Sequence, residues 1–225
     1  MSDRAANAQS ALPRMPVRAN GRARYRHLMA TLKDLLSERD TNEFSLVDLA
    51  RAADVPPASV YHFLPSKDAA LVALAQVYND EMVELVRSLP DDDRATNWQD
   101  LVTRRMKIGV AYYVSNPVAM KLLLGPDHAL RAGHIDLEGN RTVARGLHWL
   151  ITERFVTPEF PQLEEKMTIG ARIADAIWSL SYLQHGTITD AFALEAERAC
   201  LAYMRLYLGE HLETRPQTAG GSPQA

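Results

Sequence analysis

The stretch "LARAADVPPASVYHFLPSKDAAL", residues 49–71, sets two adjacent prolines between apolar residues at helical spacing. A proline inside a helix costs about 3 kcal/mol, but one in the first turn is accommodated because its missing N–H would have no partner there. Pro56 and Pro57 therefore mark a start. One helix has to end near Ala53, and another has to begin at Pro57 and run to about Leu64. Neither a strand nor a single continuous helix satisfies the segment.

The flanking sequence supplies partners for this broken pair. Tyr25, Leu28, Met29, Leu32, Leu35 and Leu36 recur at three and four residues, giving an amphipathic helix over Arg22 to Glu38. "RDTNEF" ends it, and Ser45 is placed to cap a short helix that buries Leu46, Leu49 and Ala50. "PSKD" offers Ser66 as a cap and Asp68 in the first turn of a longer helix from Lys67 to about Ser88. Beyond the loop "LPDDDRATN" the pattern stays helical over 98–115, 117–124, about 136–155, 162–185 and 190–212, with short links rich in Pro, Gly or Asn. No strand-like alternation persists. The reading is an all-α chain of nine to ten helices, with a disordered tail over 1–20 and a three-helix unit over 21–68. A helical body follows over 69–213, and a second disordered tail over 214–225.

Numbered from Leu46 to Pro65, the broken pair is a twenty-residue unit. Small Ala50 is fifth, where two helices must cross closely, and Asp54 is ninth, in the turn. Leu49, Ala53, Val55, Val60 and Phe63 take apolar places that bury one side of each helix. This is the layout of a DNA-binding helix-turn-helix, whose second helix enters the major groove. The ninth place favours positive φ, which Asp tolerates better than most residues. Pro57, Ala58 and Ser59 would lie nearest the base edges. Tyr61, His62 and Lys67 would donate to phosphates, with Ser45 on the same polar surface. A plain helical hairpin with no DNA role satisfies the apolar spacing equally.

Charge distribution agrees with a nucleic-acid partner at one end. The net charge of the 225 residues is −3, yet the first 26 residues hold six Arg against one Asp. Cys200 is the one cysteine, so no internal disulfide is available, and a reducing cytoplasm is the expected location. No apolar run is long enough to span a bilayer.

"FSLVDLARAADVPPASVYHFLPSKDAAL" resembles the DNA-binding signature of the tetracycline-repressor (TetR/AcrR) family of bacterial regulators, "VYHFLPSKDAAL" most specifically. The resemblance implies a homodimeric regulator, more often a repressor than an activator. Its base-contacting positions fall on Pro57, Ala58 and Ser59, and its phosphate-contacting positions on Ser45, Tyr61, His62 and Lys67. The sequence departs from the family pattern at Asp54, where Gly is usual, and at Pro56, where Ser or Thr caps the helix. Ala58 replaces Gly or a polar residue, and Leu64 replaces Phe. With Pro57 and Ala58 offering no side-chain hydrogen bonds, apolar contact with thymine methyls is expected to carry more of the readout.

The resemblance assigns the body to effector binding and dimerisation. Residues 162–185 carry one stripe of Ile169, Ile173, Ala176, Ile177 and Leu180, and another of Gly170, Ala174, Trp178 and Tyr182. Residues 190–212 carry Phe192, Ala196, Ala199, Cys200, Tyr203 and Tyr207. Helices apolar on more than one face have more to bury than one body offers, and a two-fold copy would cover the excess. A small apolar or aromatic effector is expected among Met106, Tyr112, Tyr113, Met120, His148, Trp149 and Trp178, all of which also suit plain core packing.

"PDHALRAGHID" gathers Asp127, His128, His134 and Asp136 at no common ligand spacing, so no metal and no cofactor is expected. No phosphate loop, serine elbow or supported catalytic dyad appears, and an enzyme is not expected. Three functions stay open on these residues. They are a ligand-responsive regulator released from a partly palindromic operator, a DNA-binding protein without small-molecule control, and a helical ligand-binding or interaction module with a vestigial helix-turn-helix.

Overall fold

The computed structural model describes residues 12–88, 95–126 and 133–215. Among them are nine helices: α1 Ala19–Glu38, α2 Leu46–Ala52, α3 Pro57–Phe63, α4 Lys67–Ser88, α5 Trp98–Ser115, α6 Pro117–Leu124, α7 Gly133–Arg154, α8 Leu163–His185 and α9 Asp190–Leu208. One isolated antiparallel bridge, Phe155 to Thr214, is the β pairing present among the described residues. The fold is all-α.

The head is α1 to α3. The periodic residues of α1 that the spacing selects, Tyr25, Leu28, Met29, Leu32 and Leu36, are buried against Leu46, Leu49 and Ala50 of α2 and Val60 and Phe63 of α3. Tyr25 meets Phe63 edge-on at 5.9 Å. Nε2 of His27 donates to the carbonyl of Ala53 at 2.9 Å, pinning α1 to the turn.

The turn is closed by backbone geometry. Asp54 adopts φ 50°, the one positive φ outside glycine among the described residues. The N–H of Asp54 donates to Arg51 O (3.3 Å) and that of Val55 to Ala50 O (3.0 Å). This is the Schellman pairing, with an aspartate where glycine usually sits. Pro56 then stands extended as N-cap, Pro57 occupies the first helical position, and Ser59 N–H donates to Pro56 O (2.8 Å).

The segment before α1 is placed from residue 12 onward, although 1–20 reads as a tail. Arg14 N–H donates to Phe63 O (2.8 Å), the Arg22 guanidinium donates to Val17 O, and α1 begins at Ala19, three residues before the apolar period starts. Residues 1–11 and 216–225, where tails are expected, lie outside the described residues, as do 89–94 in the loop before α5.

Helix α4 joins head and body. Its first turn is capped by Ser66, whose Oγ accepts from Ala69 N–H (3.0 Å), and Ala69 to Ala75 are all buried. It packs on α1, α5, α6 and α7. A second tie comes from Lys121 of α6, whose Nζ donates to Arg39 O (3.1 Å) and pairs with Asp40 (3.0 Å). The ammonium thus sits at the C-terminal end of α1, where orphan carbonyls and the helix dipole favour a cation.

Helix α8 packs on α7 and α9 to make the body. The apolar pattern predicts a last helix reaching Leu212, but α9 stops at Leu208 because Gly209 turns the chain at φ 74°. The following residues return to the end of α7, with Val156 N–H donating to Glu213 O (2.8 Å) and Arg215 N–H to Arg154 O (2.7 Å). Buried Trp98 donates its indole N–H to Gly209 O (3.1 Å), which ties the start of α5 to the end of α9.

The left-handed Asp54 gives a direct check. Asp54→Gly should fold with unchanged or slightly higher stability, whereas Asp54→Val should lose about 1–3 kcal/mol, because a β-branched residue is strained at positive φ. Urea unfolding of both variants measures the difference.

Candidate nucleic-acid interface

Ser45 closes α2 through a reciprocal capping box. Its Oγ accepts from Asp48 N–H (3.1 Å), and an Asp48 carboxylate oxygen accepts from Ser45 N–H (3.0 Å). The Ser45 hydroxyl also donates to that carboxylate oxygen (2.6 Å), and this bond, together with the one from Ser45 N–H, holds the Asp48 carboxyl below its ordinary range, with a smaller contribution from Arg51. Ser45 remains exposed beside the turn.

In α3 the buried residues are Val60 and Phe63, which turns the remaining positions outward. Pro57 and Ala58 are exposed, Ser59 is half-buried, and Tyr61 and His62 project from the second turn. His62 is steadied edge-on against Phe63 at 4.8 Å. Lys67 begins α4 half-buried, with its ammonium 5.1 Å above the ring of buried Phe44. A cation over an aromatic face is attracted by the ring quadrupole, which positions the ammonium. Among the seven positions expected at DNA, His62 and Lys67 each pack on a buried ring, and Phe44 is the neighbour of Lys67 that sequence reasoning left out. The packing of α2 and α3 therefore leaves the cap of α2 and the start and second turn of α3 exposed, with Lys67 half-buried at the start of α4.

In the body, a cavity of about 100 Å³ lies between α4, α5, α7, α8 and α9. Met106, Tyr113 and Trp178 line it. The other four expected contacts do not. The Tyr112 hydroxyl lies 3.0 Å from both Tyr78 O and a Glu81 carboxylate oxygen, so it fastens α5 to α4, and burial beside Glu81 pushes its pKa up. Met120 is buried in α6 away from the cavity, His148 is half-buried elsewhere on α7, and Trp149 is 57 % exposed. A list drawn from aromatic and Met content alone cannot tell these faces apart.

The cavity also has walls the sequence reading omitted. Gly109 leaves room for the Trp178 ring, since a Cβ there would come within 3.3 Å of it. Asn140 donates to Asp175 (2.7 Å) on the polar side, and Met167, Cys200 and Met204 add soft, polarisable surface. The Trp178 indole N–H is buried with no hydrogen-bond partner among the described residues. Tyr113 is packed edge-on to Trp178 at 6.0 Å, and burial raises its hydroxyl pKa well above the ordinary value.

Asp127 and His128 lie outside the described residues, and so do the side chains of His134 and Asp136. Among the described residues no group of His, Cys, Asp and Glu could hold a metal, and no helix is long and apolar enough to cross a membrane.

No family model matches the chain. The HTH-type transcriptional regulator EthR of Mycobacterium tuberculosis is 32% identical over 100 residues, which cover 42% of this chain and 46% of that protein. The chain thus spans about half the length of the curated relatives it matches. Two solved structures share the fold. A TetR transcriptional regulator from Rhodococcus sp. RHA1 superposes with a TM-score of 0.59 at 17% identity, over 81% of this chain and 96% of that one. A TetR-family regulator from Streptomyces coelicolor gives 0.59 at 19% identity, over 84% and 80%. The fold is TetR-like.

On this TetR-like fold the two apolar stripes of α8 separate in part, with Ile173 half-buried and Ile177 and Tyr182 partly buried against the core. Gly170, Ala174 and Trp178 face inward and are buried. Ile169, Leu180 and Leu183 face outward and are 37, 46 and 56 % exposed. On α9 the expected stripe containing Ala196 and Cys200 packs inward, while Leu194 and Leu206 stand out at 46 and 73 % exposure. Exposed apolar side chains therefore stand on both helices.

Cys200 checks how tightly the cavity is closed. Burial pushes its thiol up to about 12, so at pH 8 only about one thiol in ten thousand would be ionised. A thiol reagent should leave the native chain unlabelled and modify it rapidly in urea.

Proposed function

We propose that this TetR-like protein is a dimeric, DNA-binding transcriptional regulator of the cytoplasm, acting by binding rather than by catalysis. In this reading it is a repressor released from a partly palindromic operator by a small apolar or aromatic effector. The observation that carries the proposal is the α2–α3 unit, whose turn, cap and anchored Lys67 leave the exposed first turns of α3 free to meet a groove. The regulator named among the relatives supports the same reading.

Pro57, Ala58 and Ser59 are assigned to the base edges. Ser45, Tyr61, His62 and Lys67 are assigned to phosphates. Ser59 is the side chain among the first three that can hydrogen-bond a base, and Pro57 and Ala58 suit thymine methyls. The exposed leucines and isoleucines of α8 and α9 are assigned to a two-fold copy, which would set two reading heads about 34–36 Å apart, one turn of the duplex.

The effector is assigned to the cavity behind Met106, Tyr113 and Trp178. At about 100 Å³ it is smaller than common ligand sites of roughly 300–1,000 Å³, so the ligand is compact or the helices part to admit it. The unpaired Trp178 N–H favours a ligand that carries one acceptor oxygen. Release requires the effector to bind the off-register state more tightly, and a coupling of about 1–3 kcal/mol gives roughly 5–150-fold weaker DNA binding.

Selection of fragmented genomic DNA by the purified chain, sequenced against a beads-only control, tests the central claim. An enriched, partly palindromic site is the expected result, and no enrichment from a folded dimer overturns it. On such a site, Lys67→Ala should weaken binding at every sequence and reduce the salt slope by roughly one per contact, about two for a dimer. A changed sequence preference would instead move Lys67 to the base-reading set. Leu180→Glu with Leu183→Glu should leave the circular dichroism spectrum intact and shift sedimentation to the monomer.

A further inference from the structure

A second hollow lies outside the body cavity, between α1 and α4. It is a groove of about 760 Å³, open to solvent along one side. Arg22, Arg26, Ala30 and Lys33 recur at four, four and three residues, so they form one edge of α1 along the groove. The opposite wall is Leu74, Val77 and Tyr78 of α4, and the docked segment at Met15 and Pro16 closes one end. Tyr25 and Met29, both buried, also line the groove.

Three features point to one ligand chemistry. The volume falls inside the range of about 300–1,000 Å³ that small-molecule sites occupy. Three cations and one carboxylate, Glu81, line a surface that is otherwise apolar, and the Glu81 carboxylate is already met by the Tyr112 hydroxyl at 3.0 Å. The third feature is Tyr78. Its side chain is 1 % exposed and its hydroxyl has no hydrogen-bond partner among the described residues, while the Lys33 ammonium stands 5.2 Å from its ring centroid. A buried hydroxyl left unpaired is destabilising and rare in native structures, so a polar atom arriving beside Lys33 and Tyr78 would satisfy a group the protein leaves open.

The geometry points to this groove as a binding site for an amphipathic anion, an apolar chain or ring bearing a single carboxylate. The apolar part lies along Leu74, Val77 and Met29 in the space that Ala30 leaves. The carboxylate is held by Arg26 and Lys33, with the Tyr78 hydroxyl donating to it. Charge-assisted hydrogen bonds of this kind are the strong ones, and Arg presents its donors in a fork that matches a carboxylate. The site is separate from the cavity assigned to the effector and does not depend on the chain binding DNA.

Titration calorimetry on the full chain tests this with decanoate, kept below its micelle concentration, and with the neutral probe decan-1-ol. Decanoate should bind once per chain and about tenfold or more tighter than decanol, the difference expected from hydrogen bonds to charged groups. Arg26→Gln with Lys33→Gln should weaken decanoate by about tenfold or more and leave decanol unchanged. Ala30→Phe, at an exposed position, should fill the groove and abolish both, while Gly109→Leu in the body cavity should change neither. Circular dichroism and melting confirm that each variant is folded. Four outcomes would overturn the proposal: no heat with millimolar decanoate, equal affinity for the two probes, binding that survives Ala30→Phe, or binding lost through Gly109→Leu. None of these readouts uses DNA, so failure here is distinct from failure of the regulatory reading.

Discussion

Helix α4 is buried all round for seven consecutive residues, Ala69 to Ala75. A helix covered on every face belongs to the centre of a structure, and four of these seven residues are alanines, which let α1, α6 and α7 approach closely. The same helix begins in the head with Lys67 against Phe44 and ends at Ser88, past Met82 and Val86 of the body cavity. α4 is thus the packed element that head and body share. The Lys121 contact with the end of α1 adds a second, polar tie between head and body.

Two of the three buried polar side-chain atoms that lack a partner among the described residues sit in the walls of the two hollows: the Trp178 indole in the body cavity and the Tyr78 hydroxyl in the α1–α4 groove. The third, an oxygen of Gln99, belongs to a side chain whose amide already donates to Glu210 O. Buried donors are otherwise met throughout the core, including the Trp98 indole and the Ser181 hydroxyl. Unpaired atoms placed at cavities mark where the fold has given up stability, and each hollow has one.

Much of this was readable in advance because it is local. The cap at Ser45, the positive φ at Asp54, the restart at Pro57 and the cap at Ser66 each depend on residues within a few positions of one another. Three helices start and stop where the spacing puts them: Lys67–Ser88, Trp98–Ser115 and Pro117–Leu124. The site was less legible in the body. Tyr112, Met120, His148 and Trp149 have the composition of a pocket, yet packing turns them to α4, to the core of α6 or outward. Asn140, Asp175 and Gly109 line the cavity and gave no periodic signal, since each is defined by a neighbour far away in sequence.

The sequence by itself determined the helices, the break at the double proline and the surface of α3 that faces away from the core. Those follow from backbone sterics, capping and the 3.6-residue period, which act over a turn or two. Tertiary structure alone decided which apolar stripe of α8 turns inward, that residues 12–18 lie against the head, and that a basic edge of α1 meets an apolar wall of α4 across a groove. Each of those depends on which distant surfaces meet and on how much space their side chains leave when they do. A period along one chain segment carries no information about that.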